Sequence, residues 1–318
     1  MYRLSARIEI YGRDNKKWVF DKVKSVVVEK DINTLTDICT IVIPSKVKWN
    51  GSPEFLLGYG DRVSVSLGYD NELQNVFDGY LMSANIKSPI TLVCQDAMCM
   101  IKGKLAKKNV YEATTLDEVI YDQNMGIKHE VAEDIKLGNY RVAENTLGEF
   151  FKKLAEIGIK CFIKTVSGVP VLKAGVTFQE DDKYKAVFSE KNMIDISELK
   201  VCWAKDMKVK VILHRTAKGE SPEPIIVGDD EGVIKTLHFD EMDEQTAKEW
   251  AEREYKKLKY DGVAGSFTTF GVTLLDKMDN VAIKLGGQRK GIYQVEKNVI
   301  KYNEKGLRQI ITLGVRVK

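Results

Sequence analysis

The sequence is poor in the side chains from which metal centres and disulfide frameworks are built. It contains three histidines and five cysteines among 318 residues. Cys94 and Cys99 do not have the Cys-x-x-Cys spacing of redox and zinc sites. His129 has no second histidine at the spacing that a helical zinc site requires. We therefore expect reduced cysteines within a core and no metal site.

Long apolar runs and an excess of one charge are also missing. No run approaches the roughly 18 apolar residues that a membrane helix needs, and residues 1–7 lack the apolar stretch of a signal peptide. The net charge is +3, from 49 basic and 46 acidic residues, which argues against a dedicated nucleic-acid binder. These absences predict a protein without a membrane-spanning segment that is made and assembled in a cytoplasm.

Catalytic motifs are absent as well. There is no Gly-x-x-x-x-Gly-Lys-Ser/Thr loop and no Gly-x-Ser-x-Gly elbow. The glycine-rich residues 286–291 lie between two strand-like runs and open no helix, so the pattern favours a hairpin loop over a phosphate site. The sequence selects no catalytic, cofactor-binding or metal-binding residue. A hydrolase with two carboxylates stays open, because the distance between such groups is spatial.

What the sequence does contain is a short phrase that occurs twice. Each copy begins with aspartate, continues with alternating aliphatic residues to a glycine, and is followed by a second glycine in the next strand-like run. The shared positions are Asp61, Val63, Val65, Leu67, Gly68 and Gly79 in the first copy, and Asp279, Val281, Ile283, Leu285, Gly286 and Gly291 in the second. A strand, a loop and a returning strand are thus predicted twice. Such duplication is more typical of an architectural part than of an enzyme with one site.

The texture of the chain predicts an α+β, mainly β fold in three parts. Residues 1–96 show period-two alternation in many short runs, which favours a barrel or sandwich. Residues 97–194 mix helices and strands. Residues 195–318 return to β texture, with a polar, exposed loop predicted over residues 219–232 and one long amphipathic helix over residues 240–259.

Two capping boxes mark the helices of the middle part. Thr115 and Thr146 are each followed three residues later by glutamate, and an apolar periodic run comes next. Gly126 and Gly158 are predicted to end these helices in the left-handed conformation. A strand and its hairpin partner are expected after Gly158.

The order of these pieces resembles the baseplate hub proteins of contractile phage tails, the late-control D type family. The resemblance is carried in the first part by residues 59–63, 68–69 and 76–80, which are similar to a Gly-Asp-x-Val, Gly-Tyr, Phe-x-Gly run of that family. In the last part it is carried by the helix at residues 247–258, by residues 278–281 and by residues 291–295. The match is spread over essentially the whole chain, and the order of the motifs is more specific than any one of them.

The resemblance implies two similar tube-type β-barrel domains, at residues 1–96 and 195–318, with the α+β domain inserted between them. It implies a non-enzymatic homotrimer whose six barrels form a ring that matches a sixfold tail tube and a threefold spike. The expected partners are the tail tube or a distal tube-initiator protein, the central spike, wedge proteins and the tape-measure protein, with DNA as passing cargo only. The expected location is the baseplate of a virion or a tail-like bacteriocin, including one encoded by a prophage. Another tail-tip or secretion-apparatus component with the same barrel, and a tail-associated cell-wall hydrolase, remain alternatives.

Overall fold

The mainly β fold is confirmed. The computed structural model describes residues 3–12, 16–44, 57–85, 89–132, 135–175, 178, 183–216, 220–239, 242–286 and 290–317. Within these ranges the chain forms 22 strands and three α-helices. Antiparallel pairing dominates, and the largest sheet contains 14 strands.

Seven strands of the large sheet come from the first part of the chain. They are β1 (Leu4–Tyr11), β2 (Lys17–Phe20), β3 (Ser25–Asp31), β4 (Ile38–Ile43), β5 (Arg62–Tyr69), β6 (Glu72–Asn85) and β7 (Ile90–Gln95). In β4 the side chains of Cys39, Ile41 and Ile43 are fully buried, while the alternate residues are partly exposed. This is the period-two pattern that puts one face of a strand on a core.

Helices and strands of the middle part form a separate layer. Its elements are β8 (Asn109–Thr115), α1 (Leu116–Asp122), β9 (Lys128–Val131), β10 (Lys136–Val142), α2 (Leu147–Glu156), β11 (Lys160–Val166) and β12 (Val169–Gly175). Both predicted capping boxes are present, at Thr115 with Glu118 and at Thr146 with Glu149. Strands β11 and β12 form the predicted hairpin.

The two predicted glycine ends differ from each other. Gly158 comes after Ile157, the C-cap of α2, and has φ of 88°; its N–H donates to the Ala155 carbonyl over 3.0 Å. Gly126 is also left-handed, but α1 already ends at Asp122, before it reaches that glycine. The turn after α1 uses Asn124 in the left-handed region instead, a residue that tolerates this conformation better than most.

The rest of the chain, from residue 186 onward, divides between two places. Strands β13 (Ala186–Phe188), β14 (Met193–Asp195), β15 (Leu199–Cys202), β19 (Gly262–Phe270), β20 (Asn280–Lys284), β21 (Lys290–Asn303) and β22 (Gly306–Arg316) belong to the large sheet. Strands β16 (Val209–Arg215), β17 (Ile225–Gly228) and β18 (Val233–Phe239) form a small sheet of their own, followed by α3 (Glu244–Leu258).

The small sheet and α3 share one hydrophobic core with the middle part. Trp250 on α3 and Val211 on β16 belong to the same cluster of buried side chains as Phe150 and Phe151 on α2. Contacts therefore cross the boundary predicted at residue 194, and β13 lies in the large sheet although it precedes that boundary. The division into three domains stays a prediction.

Two details of the C-terminal prediction are wrong. The segment 219–232 contains β17, which pairs with β16, so it is not a continuous exposed loop. The helix begins at Glu244 after the N-cap Asp243, later than the predicted residue 240, because the Asp243 carboxylate accepts a hydrogen bond from the Thr246 N–H over 2.9 Å.

The large sheet follows an open path within the described ranges. Its hydrogen-bonded order is β14-β19-β22-β21-β3-β4-β7-β6-β5-β1-β2, with β13 and β20 attached beside β21 and β15 attached to β19. No ring of described strands closes on itself. The sheet therefore leaves strand edges at which further strands could pair.

The five cysteines are free thiols. Cys39 and Cys94 lie opposite each other in β4 and β7, where burial raises the pKa of both and brings that of Cys94 to about 12. Such protonated, buried thiols are poor nucleophiles.

The capping box of α2 provides a stability test. We expect Thr146→Ala to lower the free energy of unfolding by about 1 kcal/mol, because the hydroxyl accepts from the Glu149 N–H. Urea unfolding measures the change, and Thr146→Ser, which keeps the hydroxyl, is the matched control. Equal stability of the alanine and serine variants would contradict the contribution of the cap.

Candidate functional site

Asp61 and Asp279 begin equivalent strands and form the same turn. The Asp61 N–H donates to the Gly58 carbonyl (3.1 Å), and the Gly58 N–H donates to Asp61 Oδ2 (2.7 Å). The Asp279 N–H donates to the Asp276 carbonyl (3.2 Å), and the Asp276 N–H donates to Asp279 Oδ2 (2.6 Å). Each carboxylate thus closes a four-residue turn that aims the following strand.

The residue before each aspartate takes the left-handed conformation. Gly60 has φ of 86° and Met278 has φ of 71°. Glycine takes this conformation without steric cost, whereas methionine does not. Met278 is 2% exposed and packs with Ile32, Phe162 and Phe178, so apolar burial offsets the backbone cost in the second copy.

The correspondence continues into the returning strands. The Leu81 N–H donates to the Asp61 carbonyl (2.8 Å), and the Val295 N–H donates to the Asp279 carbonyl (2.8 Å). Directly after Leu81 and Val295, both strands shift register by one residue at a β-bulge. The pairing order β3-β4-β7-β6-β5 of the first unit then has its counterpart in β15-β19-β22-β21-β20 of the second. The next strands differ, because β1 runs antiparallel to β5 whereas β13 runs parallel to β20.

The remaining positions of the phrase have different roles. The aliphatic residues of both copies are buried and form the cores of the two units: Val63, Val65 and Leu67 in one, and Val281, Ile283 and Leu285 in the other. Gly68 needs to be glycine, because a Cβ there would lie 1.8 Å from the Glu72 carbonyl oxygen. Gly286 has open space around it, and Gly287, the last residue of the second copy, lies outside the described residues.

Gly79 and Gly291 do not occupy equivalent positions. Gly79 lies opposite Val63 in β5, whereas Gly291 lies opposite Ile283 in β20. The structural counterpart of Gly79 is Tyr293, whose hydroxyl accepts a hydrogen bond from the Val263 N–H over 2.9 Å. The second glycine of the phrase is therefore a similarity of sequence only.

The two units are joined by a strand pair. Strand β3 pairs with the second half of β21, from Asp31 opposite Lys297 to Val26 opposite Tyr302. The first half of β21 pairs with β20 on that edge, and β22 pairs along the opposite one. We call the β3–β21 contact the internal junction. It makes the sheets of both units continuous.

Charged side chains are buried beside the internal junction. Lys277 is fully buried, and its ammonium donates to Asp37 Oδ1 over 2.7 Å and lies 4.9 Å from the centre of the Phe162 ring. Lys30 on β3 pairs with Asp276 over 2.9 Å. The two ion pairs thus connect the first unit with the Asp279 turn of the second.

Asp96 adds a third carboxyl group to this cluster. Its Oδ2 accepts from the Asp37 N–H (3.0 Å) and its Oδ1 accepts from the Met98 N–H (3.0 Å). Burial and the negative charge of Asp37 nevertheless raise the pKa of Asp96 to about 7, since they outweigh the two backbone donors. Burial likewise raises the pKa of Asp37, although the Lys277 ammonium opposes the shift.

The positive and negative charges of the cluster are matched. Burial alone would raise the pKa of Asp276, but the Lys30 ammonium outweighs it and the pKa is lowered. Burial acts against the charge of Lys30, yet Asp276 and Asp37 raise its pKa. Two ammonium groups therefore face the carboxylates of Asp37 and Asp276. The Lys277–Asp37 pair is buried, whereas the side chains of Lys30 and Asp276 are 12% and 25% exposed.

Sequence reasoning missed this cluster. Asp37 and Asp96 stand just outside apolar strands, and Lys277 lies in the turn before the second phrase copy. The only available signal was charge beside a strand, which is ordinary at a surface. Their proximity depends on pairing between residues more than 200 positions apart, as in the Lys277–Asp37 hydrogen bond with its separation of 240.

The described residues suggest no reaction centre. No three histidine, cysteine, aspartate or glutamate side chains converge as metal ligands in that part of the chain. None of the described helices is long and apolar enough to cross a membrane. A cavity of about 790 Å³ lies between α2, the end of α3 and the β21–β22 sheet, and its lining includes Lys152, Lys235 and Glu254 beside Leu35, Leu258 and Leu313.

Removing the buried cation tests the cluster. We expect Lys277→Met to lower the free energy of unfolding by about 3–5 kcal/mol, because it leaves the buried Asp37 without its hydrogen-bonded counter-charge. Part of the loss should return in Lys277→Met/Asp37→Asn. The matched control is Lys185→Met, which removes a pair of the same kind with Asp279 (2.8 Å) at a half-exposed lysine and should cost less than about 1 kcal/mol. Similar losses for both lysines in urea unfolding would contradict the importance of burial.

The Asp96 carboxyl predicts a dependence of stability on pH. Its pKa is about 7 in the folded chain against 3.8 in the unfolded chain, so the folded state holds an extra proton between these values. This contribution to stability is complete below pH 3.8 and is lost as the pH rises through about 7. We expect the free energy of unfolding to fall less steeply over this window in Asp96→Asn, which stays neutral. Parallel curves for the two proteins would contradict the assignment.

Comparison with known proteins finds similarity in structure. No protein-family model and no curated protein sequence matches the chain. A tail protein from Neisseria meningitidis MC58 aligns with a TM-score of 0.67 at 12% identity, over 98% of this chain and 97% of that one. The 43 kDa tail protein of prophage MuSo2 from Shewanella oneidensis aligns with a TM-score of 0.61 at 12% identity, over 98% of each chain.

A third similar structure comes from a secretion system. The E. coli c3393 protein, described as a type VI secretion component with structural similarity to the T4 bacteriophage tail proteins gp27 and gp5, aligns with a TM-score of 0.57 at 10% identity. The alignment covers 97% of this chain and 76% of that one. The chain therefore has the fold of phage tail proteins and their secretion-system counterparts.

Proposed function

We propose that the chain is the baseplate hub of a contractile tail, a homotrimeric adaptor between a sixfold tail tube and a threefold spike. The observation that carries the proposal is the duplication of one β unit, with the same aspartate turn, bulge and strand order in both halves. Three copies would bring six similar units into a ring. Such a ring presents six similar faces to a tube and three identical faces to a spike.

The likeness in fold supports this role. Tail proteins from two bacterial sources align over nearly their full lengths, so the chain contains the whole of that fold. The late-control D type hub resemblance and the closure of each unit into a tube-type β-barrel are parts of the proposal. In the ring, the barrels would surround a central channel through which DNA passes only as cargo.

The proposal includes the neighbours and the place of the protein. The tail tube or a distal tube-initiator protein would bind one side of the ring, and the central spike the other. Wedge proteins and the tape-measure protein are further expected neighbours in the baseplate of a virion or tail-like particle. The proposed contribution is structural, and the phrase residues Val63, Val65, Val281 and Ile283 are buried in the cores of the two units.

A second candidate is a component of a secretion apparatus with the same fold. The similarity to the c3393 protein favours it. Both candidates predict a ring of duplicated units, and they differ in the particle that contains the protein. The third alternative, a tail-associated cell-wall hydrolase, differs from both because it would cleave peptidoglycan.

The proposal is tested by the number of copies of the chain in its native particle, their position and the proteins they contact. Electron cryomicroscopy is expected to place three copies between tube and spike, and native mass spectrometry to find a complex with the spike. A chain that stays monomeric and binds neither tube nor spike would contradict the hub. Peptidoglycan cleavage that disappears on changing one carboxylate would favour the hydrolase, and recovery with a secretion apparatus would favour the second candidate.

A further inference from the structure

Each unit has one strand edge that is unpaired among the described residues although the equivalent edge of the other unit is paired in the internal junction. These edges are β15 in the second unit and the second half of β6 in the first. Strand β15 holds in the second unit the place that β3 holds in the first: Leu199 lies opposite Gly265 of β19 as Val28 lies opposite Cys39 of β4. Strand β3 continues the sheet by pairing with β21. Within the described ranges, β15 pairs with β19 alone.

The complementary edge lies on β6. This strand is the counterpart of β21, and its first half pairs with β5 as the first half of β21 pairs with β20. Beyond the bulge, Ser83 and Ala84 are exposed and have β7 on one side. No strand in the described part of the chain takes the place on their other side that β3 takes beside β21.

We propose that β15 of one copy pairs antiparallel with β6 of a second copy, with Cys202 opposite Ser83 and Val201 opposite Ala84. The register follows from the internal junction. Because Leu199 corresponds to Val28, Val201 corresponds to Lys30 and Cys202 to Asp31. In the internal junction, Lys30 lies opposite Asn298 and Asp31 lies opposite Lys297. Lys297 is the first residue after its bulge, as Ser83 is after the bulge of β6.

The same equivalence predicts how side chains fit in this intermolecular junction. Trp203 follows β15 as Ile32 follows β3, and it is 43% exposed. Ile32 packs against Met278, whose counterpart in the first unit is Gly60. Where Ile32 meets Met278 in the internal junction, Trp203 would meet Gly60 in the intermolecular one. The space that glycine leaves there suits the larger indole of Trp203.

The intermolecular junction is also apolar where the internal one is charged. Lys30 and Asp276 form an ion pair in the internal junction. Their counterparts are Val201, which is 38% exposed, and Gly58. Buried ion pairs carry a large desolvation cost, whereas apolar side chains gain by leaving water. Val201 and Trp203 therefore suit a contact between copies that are exposed to water before they meet.

The two edges do not pair with each other within the described part of one copy. Strands β19, β22, β21, β3, β4 and β7 lie between them in the hydrogen-bonded order. The contact therefore joins different surfaces of two copies, and repetition gives a closed ring when the rotation permits. Closure at three copies rests on the proposed function, whereas the strand register rests on the duplication alone.

Disulfide trapping in the full-length Ser83→Cys protein tests the register. Cα atoms directly opposite in an antiparallel pair are about 4.5–5.5 Å apart, within the range of a disulfide. We expect diamide, as a two-electron oxidant, to link the thiol introduced at position 83 of one copy with native Cys202 of another, giving covalent dimers and trimers on non-reducing gels. Ser83→Cys/Cys202→Ser should give none, and Ala84→Cys, displaced by one residue, should give far less.

The outcomes separate the register from the hub function. Oligomers by native mass without the disulfide between position 83 and Cys202 would overturn the register and leave the hub proposal standing. A ladder that continues beyond the trimer would support the register and contradict the closed ring. A link within one copy, or neither link nor oligomer at any concentration reached, would overturn the pairing.

A second variant tests the predicted side-chain fit. Trp203→Ala is expected to weaken self-association by about tenfold to a hundredfold, as removal of a central aromatic side chain does in protein interfaces. Tyr121→Ala, which removes an aromatic side chain that is 75% exposed on α1, is the control and should leave association unchanged. Equal association of both variants and the original protein in sedimentation experiments would overturn the role of Trp203.

Discussion

The pairing of β3 with β21 is the contact on which the rest of the structure depends. It places residues from the beginning and the end of the chain in one sheet. The core of the first unit also includes Leu274, Ile300, Tyr302 and Leu307 from the last part of the chain. Neither unit is complete without the other, so folding requires contacts of long sequence separation, which cost entropy before packing compensates for it.

Buried charge gives this pairing its precision. A shift by one residue in a strand turns every side chain to the opposite face. At the internal junction, such a shift would separate Lys30 from Asp276 and leave both charges, which are largely shielded from water, without a partner. The penalty for that state is larger than the net gain from the correct ion pair. The cluster therefore excludes wrong registers, while the apolar cores supply the driving force.

Sequence reasoning succeeded where the signal is local. The capping boxes of Thr115 and Thr146, the hairpin after Gly158 and the duplicated strand are each contained in a short segment with a defined spacing. It failed where partners are distant. Strand β17 was missed because its short apolar run lies between prolines and Asp229, and the shared core of α3 and α2 leaves no trace in the spacing of either helix.

The same limit applies to the candidate site. The sequence identified Asp61 and Asp279 as equivalent, and their turns have the same hydrogen bonds. It paired Gly79 with Gly291 because each is the glycine of the strand-like run that follows the phrase, although strand register separates them. The sequence pattern thus located the repeated strands β5 and β20. Only the backbone pairing could show which residues of their partners, β6 and β21, are equivalent.

The difference between Met278 and Gly60 at otherwise equivalent turns has a consequence for the order of units around a ring. If both turns were alike, β15 of a second copy could compete with β3 for the edge of β21, and a wrong junction would compete with the correct one. A turn with methionine accepts the smaller side chain of Ile32, whereas a turn with glycine leaves room for Trp203. Divergence at this single position would therefore keep the internal and the proposed intermolecular junctions distinct, which duplication alone does not provide.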